Sequence, residues 1–190
     1  DGQPLRVAVD AVDTEPLAGA RHDVHFNRGA IASQAFARHF PGQTLDQAGA
    51  PAYEWLGRDL LPAMLGFIAK AKDARFSLHA ALYELHTPGQ QPWPDVLAAL
   101  RAAHLVGAKV KIIYHGLDDD TGRTNARAIA DAQIAGLCRP RTNAKLMHNK
   151  FIVLSKAGKP IAVWTGSTNL SRNALHGQLN VGHAIHDRVV

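Results

Sequence analysis

From residue 55 onward, stretches with the apolar pattern of strands alternate with stretches of helical spacing. Apolar side chains recur every three or four residues over 55–72, which predicts an amphipathic helix. The mostly apolar run 76–85 predicts a buried strand. Helical spacing returns over 95–107, with the acidic Asp95 at its start. The run 109–114 predicts another strand, and 125–135 a helix that ends at Gly136.

Two further strands and a helix are predicted near the C-terminal end. Residues 146–154 finish in an apolar run, 155–160 form a turn, and 161–165 return as a second strand before a short helix over 169–176. Strands that alternate with helices favour parallel pairing, with helices on both faces of the sheet. The sequence therefore predicts an α/β protein, an αβα sandwich with a mixed, mainly parallel central sheet.

The pattern is weaker at the N-terminal end, where a strand over 5–9 and a short helix over 30–39 are predicted. We interpret residues 1–54 as an extension that packs on a single domain formed by residues 55–190. No linker clearly divides the chain, and 190 residues can form one domain with a sizeable core.

Composition and charge narrow the choice of partner. The net charge of +5 favours polyanions or acidic membrane surfaces. Cys138 is the one cysteine, so an intrachain disulfide is excluded. The longest apolar run, near residues 60–68, is too short to span a membrane, so we expect a soluble protein of unknown compartment. The chain begins at Asp1 rather than Met, which leaves a processed or exported form open.

Two short segments carry reactive groups. Alternation along a strand puts His148 and Lys150 on the same face. The following strand ends at Gly166 and Ser167, just before a helix whose first N–H groups are free to bind an anion. Together with Asn169, these side chains predict a phosphate site that contains a nucleophile.

The pattern His148-x-Lys150, followed at this distance by Gly166-Ser167-x-Asn169, resembles the HKD motif of the phospholipase D superfamily. Residues 76–136 are similar to the strands and helices that precede the motif in the small nuclease branch, so that the resemblance covers residues 55–186. Where the full motif has an acidic residue after four intervening positions, this chain has Ser155.

The resemblance implies a metal-independent phosphodiesterase that needs no cofactor. His148 would attack phosphorus and form a phosphohistidine, which divides one difficult step into two. Lys150 and Asn169 would hold the phosphoryl oxygens. The alternative reading of His148, an ordinary strand histidine, is disfavoured by the whole constellation.

Four further residues have supporting roles in this interpretation. Gly166 and Ser167 would support the phosphate-binding groups. A nucleophilic imidazole also needs an acceptor to orient its other ring nitrogen. The candidates are Gln178 and Asn180, and Asn180 lies at the better-matching distance from the second segment.

The reaction needs a second histidine as general acid, yet no other histidine has a lysine two positions on. The resemblance implies a homodimer in which a second copy of His148 completes the site across a two-fold axis. The competing prediction is that these residues are one half of a longer chain with two motifs.

The substrate and the class of function stay open at this point. Basic charge favours nucleic acid, and a nuclease is the leading hypothesis, but phospholipid-cleaving relatives share every motif residue. A catalytically silent module that binds nucleic acid is the second hypothesis, since Ser155 departs from the motif. The basic stretch 139–145 would meet a nucleic-acid backbone or form a solvated loop.

A zinc or magnesium hydrolase is the third hypothesis, and its ligand signals are weak. His183 and His186 face opposite ways along a strand, so a shared metal is disfavoured. The aspartates over 118–120 are typical of a solvated turn.

Overall fold

A computed structural model describes residues 17–18, 21–29, 31–86, 96–143 and 145–186. The expected strand over 5–9 and residues 87–95, including Asp95, lie outside the described residues. The first half of the chain forms these elements: β1 (Leu17–Ala18), β2 (His22–Phe26), α1 (Gln34–His39), α2 (Leu45–Ala48), α3 (Ala50–Gly57), α4 (Leu60–Ala69) and β3 (Phe76–Leu82). The second half forms these: α5 (Val96–Leu105), β4 (Lys109–His115), α6 (Asp120–Asp131), a 3₁₀ turn (Ala135–Leu137), β5 (Cys138–Arg141), β6 (Lys150–Lys156), β7 (Lys159–Gly166), a π-helix (Asn173–Gly177) and β8 (Val181–Ile185).

The strands form one mixed sheet in the order β1-β2-β8-β7-β6-β3-β4-β5. The pairs β3–β4 and β4–β5 are parallel, and the other five neighbouring pairs are antiparallel. The predicted α/β class with a mixed sheet is confirmed, whereas the mainly parallel pairing is wrong. The reason is that β6 and β7 form a hairpin, and β8 and β2 continue that antiparallel half, while the helical crossovers occur only between β3, β4 and β5.

The core lies between one face of the sheet and helices α4, α5 and α6. Alternate residues of β3, such as Leu78 and Leu82, are buried, and the residues between them are half-buried or exposed. Leu60 of α4, Leu100 of α5 and Ile129 of α6 belong to the same apolar cluster. Burial of these side chains supplies the main stabilisation of the fold, at about 25 cal/mol for each Å² of apolar surface removed from water.

The predicted long helix over 55–72 is two helices, α3 and α4. Arg58 separates them with φ of 47°, a left-handed conformation that ends α3. Helices α1 to α3 form a second, smaller cluster around Phe36, Tyr53 and Leu56. Residue 55 lies within α3, and β2 lies inside the sheet beside β8. The division into 1–54 and 55–190 stays a prediction.

The strand predicted over 146–154 begins only at Lys150, and the residues before it are irregular. The following turn is tighter than predicted, because Lys156 pairs with Lys159 across the two residues Ala157 and Gly158, both with positive φ. Ser155 is buried within β6, where the register shifts. A small hydroxyl thus occupies a buried strand position there.

Two helix boundaries also differ from the prediction. Helix α6 begins at Asp120 rather than 125, because the Asp119 carboxylate accepts a hydrogen bond from the Gly122 N–H and caps the helix. The helix predicted over 169–176 is a single π-helical turn, Asn173–Gly177. Within the described part of the chain, no helix is both long and apolar enough to cross a membrane.

Candidate functional site

The first motif segment, residues 148–150, leads into strand β6. His148 precedes this strand and is exposed, while Met147, next to it, is only 3% exposed. The ammonium group of Lys150 folds back and donates to the His148 carbonyl oxygen at 3.2 Å. This bond holds the ammonium against the His148 backbone, and His148 itself lies outside the strand on which the predicted alternation was based.

The ring of Tyr83, just beyond β3, joins the two groups. Its centroid lies 4.8 Å from that of His148 in an edge-to-face arrangement. The Lys150 ammonium lies 5.3 Å from the same centroid, within cation–π distance. Tyr83 thus limits the positions that the imidazole and the ammonium can take.

Lys150 lies in a partly desolvated position. Burial disfavours the charged ammonium and lowers its pKa from the ordinary value, while the nearby Glu84 carboxylate acts in the opposite direction. A cation that has lost part of its hydration interacts more strongly with an anionic ligand. The site therefore suits a bound anion such as a phosphodiester.

The second motif segment, residues 166–169, turns sharply where β7 ends. Gly166 has φ of 144°, and a Cβ atom there would lie 2.1 Å from the Val181 carbonyl oxygen. Only glycine fits this close approach to β8. Ser167 continues the pairing, because its N–H donates to the Val181 oxygen at 3.0 Å and its Oγ accepts from the Val181 N–H at 3.1 Å.

Asn180, the residue before β8, braces the second segment. Its Oδ1 accepts a hydrogen bond from Ser167 Oγ at 2.7 Å, and its Nδ2 donates to the Ala174 carbonyl of the π-helix at 2.7 Å. Its backbone N–H donates to Asn27 Oδ1 at 2.7 Å. These bonds fit a supporting role for Asn180, and its orienting role toward His148 stays a prediction, as does that of Gln178.

Asn27 was missed by sequence reasoning. It is 4% exposed, and its Nδ2 lies within hydrogen-bond distance of three carbonyl oxygens, those of Ala174, Leu175 and Gln178. One side chain from the N-terminal region therefore holds the π-helix that follows the second segment. A single asparagine after a short strand carries no pattern that would have identified it.

Asn169 has a buried side-chain oxygen. Among the residues that the structure describes, Asn169 Oδ1 has no hydrogen-bond partner. A buried polar atom without a partner is uncommon and is found at functional sites. Its Nδ2 is the atom that would donate to a phosphate oxygen.

Sheet register brings the two segments together. Phe151 pairs with Thr165, so Lys150 and Gly166, their neighbours, leave the sheet side by side. The Leu170 N–H, one residue after Asn169, donates to the Glu84 carbonyl at 3.1 Å, close to Tyr83. The predicted residues thus share one end of the sheet, and their individual roles stay predictions.

Asn125 of α6 lies behind this end of the sheet and is fully buried. Its Oδ1 accepts from the Leu85 N–H at 2.8 Å, and its Nδ2 donates to the carbonyls of Tyr83 and His115 at 2.7 and 2.9 Å. It therefore ties together the ends of β3 and β4. Its position within a helical pattern gave no sign of this role.

The weaker metal signals resolve into pairs. His183 contacts His22 at 2.9 Å, while His186 contacts Asp23 at 2.7 Å, so the two histidines face opposite ways, as predicted. Asp118 and Asp120 both accept from Arg123. In the described ranges, no group of three or more His, Cys, Asp or Glu side chains could hold a metal ion.

This mixed sheet, with a His-x-Lys segment beside a Gly-Ser-x-Asn segment, defines a phospholipase D-like protein. The sequence profile of the family described as cardiolipin synthase, PLD-like domain, matches residues 67–190, and the chain belongs to this family. The predicted superfamily is confirmed. The chain is accordingly a phosphodiesterase-class hydrolase of the phospholipase D superfamily, as predicted.

Solved structures agree with this placement. Nuc from Salmonella typhimurium, a phospholipase D family member, is 25% identical with a TM-score of 0.50, over 66% of this chain and 74% of that chain. NucT from Helicobacter pylori is 24% identical with a TM-score of 0.50, over 72% of this chain and 82% of that chain, and shows the shared fold. No curated protein matches the chain.

Proposed function

We propose that the chain hydrolyses phosphodiester bonds of nucleic acid without a metal ion, through a phosphohistidine at His148. The observation that carries the proposal is the convergence of Lys150 and Tyr83 on His148, beside the turn that bears Gly166 and Ser167. An imidazole, a partly desolvated ammonium and an amide are the groups that attack at phosphorus requires.

In the first step, a ring nitrogen of His148 forms a bond to phosphorus, and the bond to the leaving oxygen breaks. A second imidazole gives its proton to that oxygen. Water then attacks phosphorus, the same second imidazole accepts its proton, and the P–N bond breaks. Throughout, Lys150 and the Asn169 Nδ2 stabilise negative charge on the phosphoryl oxygens.

The second imidazole comes from a second copy of His148 in a homodimer, or from a second motif on a longer chain. Large apolar side chains beside both segments support a covering partner. Leu146 is 56% exposed next to the first segment, and Leu179 is 73% exposed beside Asn180. Sedimentation at micromolar concentration tests the dimer, and a monomer with full activity contradicts it.

The positive charge of the residues that precede β6 favours nucleic acid as the substrate. Arg139, Arg141 and Lys145 are exposed on the segment that leads to His148, and the chain has a net charge of +5. Such cations bind a phosphate backbone without regard to sequence. Phospholipid is the second candidate, because the family is described as cardiolipin synthase, PLD-like domain, and the exposed leucines lie beside the site.

The test uses labelled DNA, labelled RNA and phosphatidylcholine vesicles, each in excess EDTA. We expect cleavage of nucleic acid and a labelled phosphohistidine in the protein quenched during turnover. His148→Ala should lose nearly all turnover, while His79→Ala, an exposed histidine within β3, serves as the matched control. Cleavage of lipid alone refutes the nuclease, and loss of activity in EDTA refutes metal independence.

The same variants test the catalytically silent alternative. If the unaltered protein cleaves no diester, and it and His148→Ala bind DNA equally, the chain is a binding module. If diester is cleaved while the label appears on another residue, His148 is not the nucleophile.

A further inference from the structure

His115, the last residue of β4, is a buried imidazole outside the HKD motif. It is only 1% exposed. Burial of a polar ring is costly unless its nitrogens are hydrogen-bonded, and both of them are. The partners are Met147, the residue before His148, and Asp119, the cap of α6.

The hydrogen bonds assign the proton on this ring. The Met147 N–H donates to Nδ1 at 3.4 Å, so Nδ1 has no proton of its own. Nε2 therefore carries the proton and donates to Asp119 Oδ2 at 2.8 Å. The other carboxylate oxygen of Asp119 accepts from the Gly122 N–H at 2.8 Å. That bond and the bond from His115 hold the pKa of Asp119 below its ordinary value, which keeps the carboxylate charged.

His115 is also linked to His148 through ring contacts with Tyr83. The Tyr83 ring lies between them, with centroids 5.1 Å from His115 and 4.8 Å from His148, both edge-to-face. The His115 backbone is fixed in turn, since its carbonyl accepts from Asn125 Nδ2 at 2.9 Å.

We infer that His115, anchored by Asp119, is a positioning residue for His148. It holds the Met147 N–H on one side and supports the Tyr83 ring on the other. Since Met147 is buried while His148 is exposed, Met147 is the fixed point from which the nucleophile extends. The inference rests on the proposed function, because the position of His148 matters to turnover only if its ring attacks phosphorus.

Two substitutions at this position separate the two ring nitrogens. The side-chain amide of asparagine lies where Nδ1 lies in histidine. His115→Asn therefore keeps an acceptor for the Met147 N–H and loses the hydrogen bond to Asp119. The side-chain amide of glutamine reaches the position of Nε2. His115→Gln therefore keeps a donor to Asp119 and loses the hydrogen bond from the Met147 N–H. We expect His115→Gln to lower kcat about 100-fold with KM nearly unchanged, as displacement of a reacting group by about 1 Å does, and His115→Asn to retain most of kcat.

Asp119→Asn tests the anchor without touching the core. Its Oδ1 still caps α6 through Gly122, but its NH₂ donates toward His115 Nε2. The proton then moves to Nδ1, where it opposes the Met147 N–H. We expect kcat to fall about 10-fold, the lower end for groups that orient a functional imidazole. This variant also serves if His115→Gln does not fold.

Hydrogen exchange of the Met147 amide reports the geometry without any substrate. We expect faster exchange in His115→Gln and Asp119→Asn, and exchange close to that of the unaltered protein in His115→Asn. His79→Gln and His79→Asn, at the exposed position in β3, are the matched controls and should leave exchange and kcat unchanged.

The outcomes separate the two proposals. If the unaltered protein has no turnover, the proposed function fails while exchange still tests the His115 contact. If His115→Asn and His115→Gln lose kcat equally at equal melting temperatures, the positioning role is overturned. Unchanged Met147 exchange in His115→Gln and Asp119→Asn overturns it as well.

Discussion

Replacing Asn125 by alanine tests whether the ends of β3 and β4 are held by one side chain. Asn125 is 0% exposed and makes three hydrogen bonds, one accepted from the Leu85 N–H and two donated to the Tyr83 and His115 carbonyls. Alanine removes all three and introduces no group that can replace them. The bonds to Leu85 and His115 are buried, and the bond to the Tyr83 carbonyl is partly buried.

The magnitude follows from these three contacts. A buried backbone group that loses its partner costs about 1–3 kcal/mol, and the partly buried Tyr83 carbonyl should cost least. We therefore expect Asn125→Ala to lower the free energy of unfolding by about 3–5 kcal/mol. A domain of this kind has about 5–15 kcal/mol in total, so the loss is a large fraction of the stability.

Urea unfolding followed by tryptophan fluorescence measures the change. With a slope of about 2 kcal/mol per molar urea, the midpoint should move down by about 2 M. Asn143→Ala, at an exposed position after β5, is the matched control and should have no effect. A loss below about 1 kcal/mol for Asn125→Ala, within the range of an ordinary surface substitution, would show that the neighbouring groups find other partners.

Two further predictions concern pH and packing. Burial lowers the pKa of His176 from 6.5 to about 4. Between these two pH values, His176 is therefore protonated in the unfolded chain and neutral in the folded chain. Stability should therefore fall by about 3 kcal/mol as pH drops from 6.5 toward 4, and His176→Phe should remove this component from urea titrations across that range. A Cβ at Gly182 would lie 2.3 Å from Trp164 Cζ2 and 2.7 Å from Leu60 Cδ1, so Gly182→Ala should lower the free energy of unfolding by about 1–3 kcal/mol. Gly66→Ala, in the exposed and open part of α4, should raise it by about 0.5–1 kcal/mol in the same urea assay.

Each of these has a clear contrary result. An identical pH slope in His176→Phe would assign the acid sensitivity to other groups. Equal stability of the two alanine variants would mean that Gly182 is not packed as closely as its neighbours indicate.

The local pattern of apolar residues was sufficient to predict a strand whose structure depends mainly on its own residues. The apolar runs identified both β3, which ends three residues earlier than predicted, and β4, which ends one residue later, because a strand buried on one face needs apolar side chains at alternate positions. It failed for the helix over 55–72, since the left-handed Arg58 interrupts an apolar pattern that continues across the break.

The predicted site residues were easier to find than the residues that contact them. His148 and Lys150 are close in sequence and have a recognisable spacing. His115, Asn27 and Asn125 act through hydrogen bonds to backbone groups that lie more than thirty residues away in most cases. A hydrogen bond to a distant carbonyl leaves no periodicity in the sequence.

The amino-acid sequence by itself determined the approximate positions of β3, β4, β6, β7 and α5, the resemblance to the family, and the net positive charge, because each depends on neighbouring residues or on simple totals. Only the tertiary structure decided that most of the described strands pair antiparallel, that Lys150 contacts the His148 carbonyl, and that His115 and Asn180 form hydrogen bonds with Met147 and Ser167. These features depend on register and on contacts between distant parts of the chain, which arise when burial of apolar side chains brings the whole sheet together.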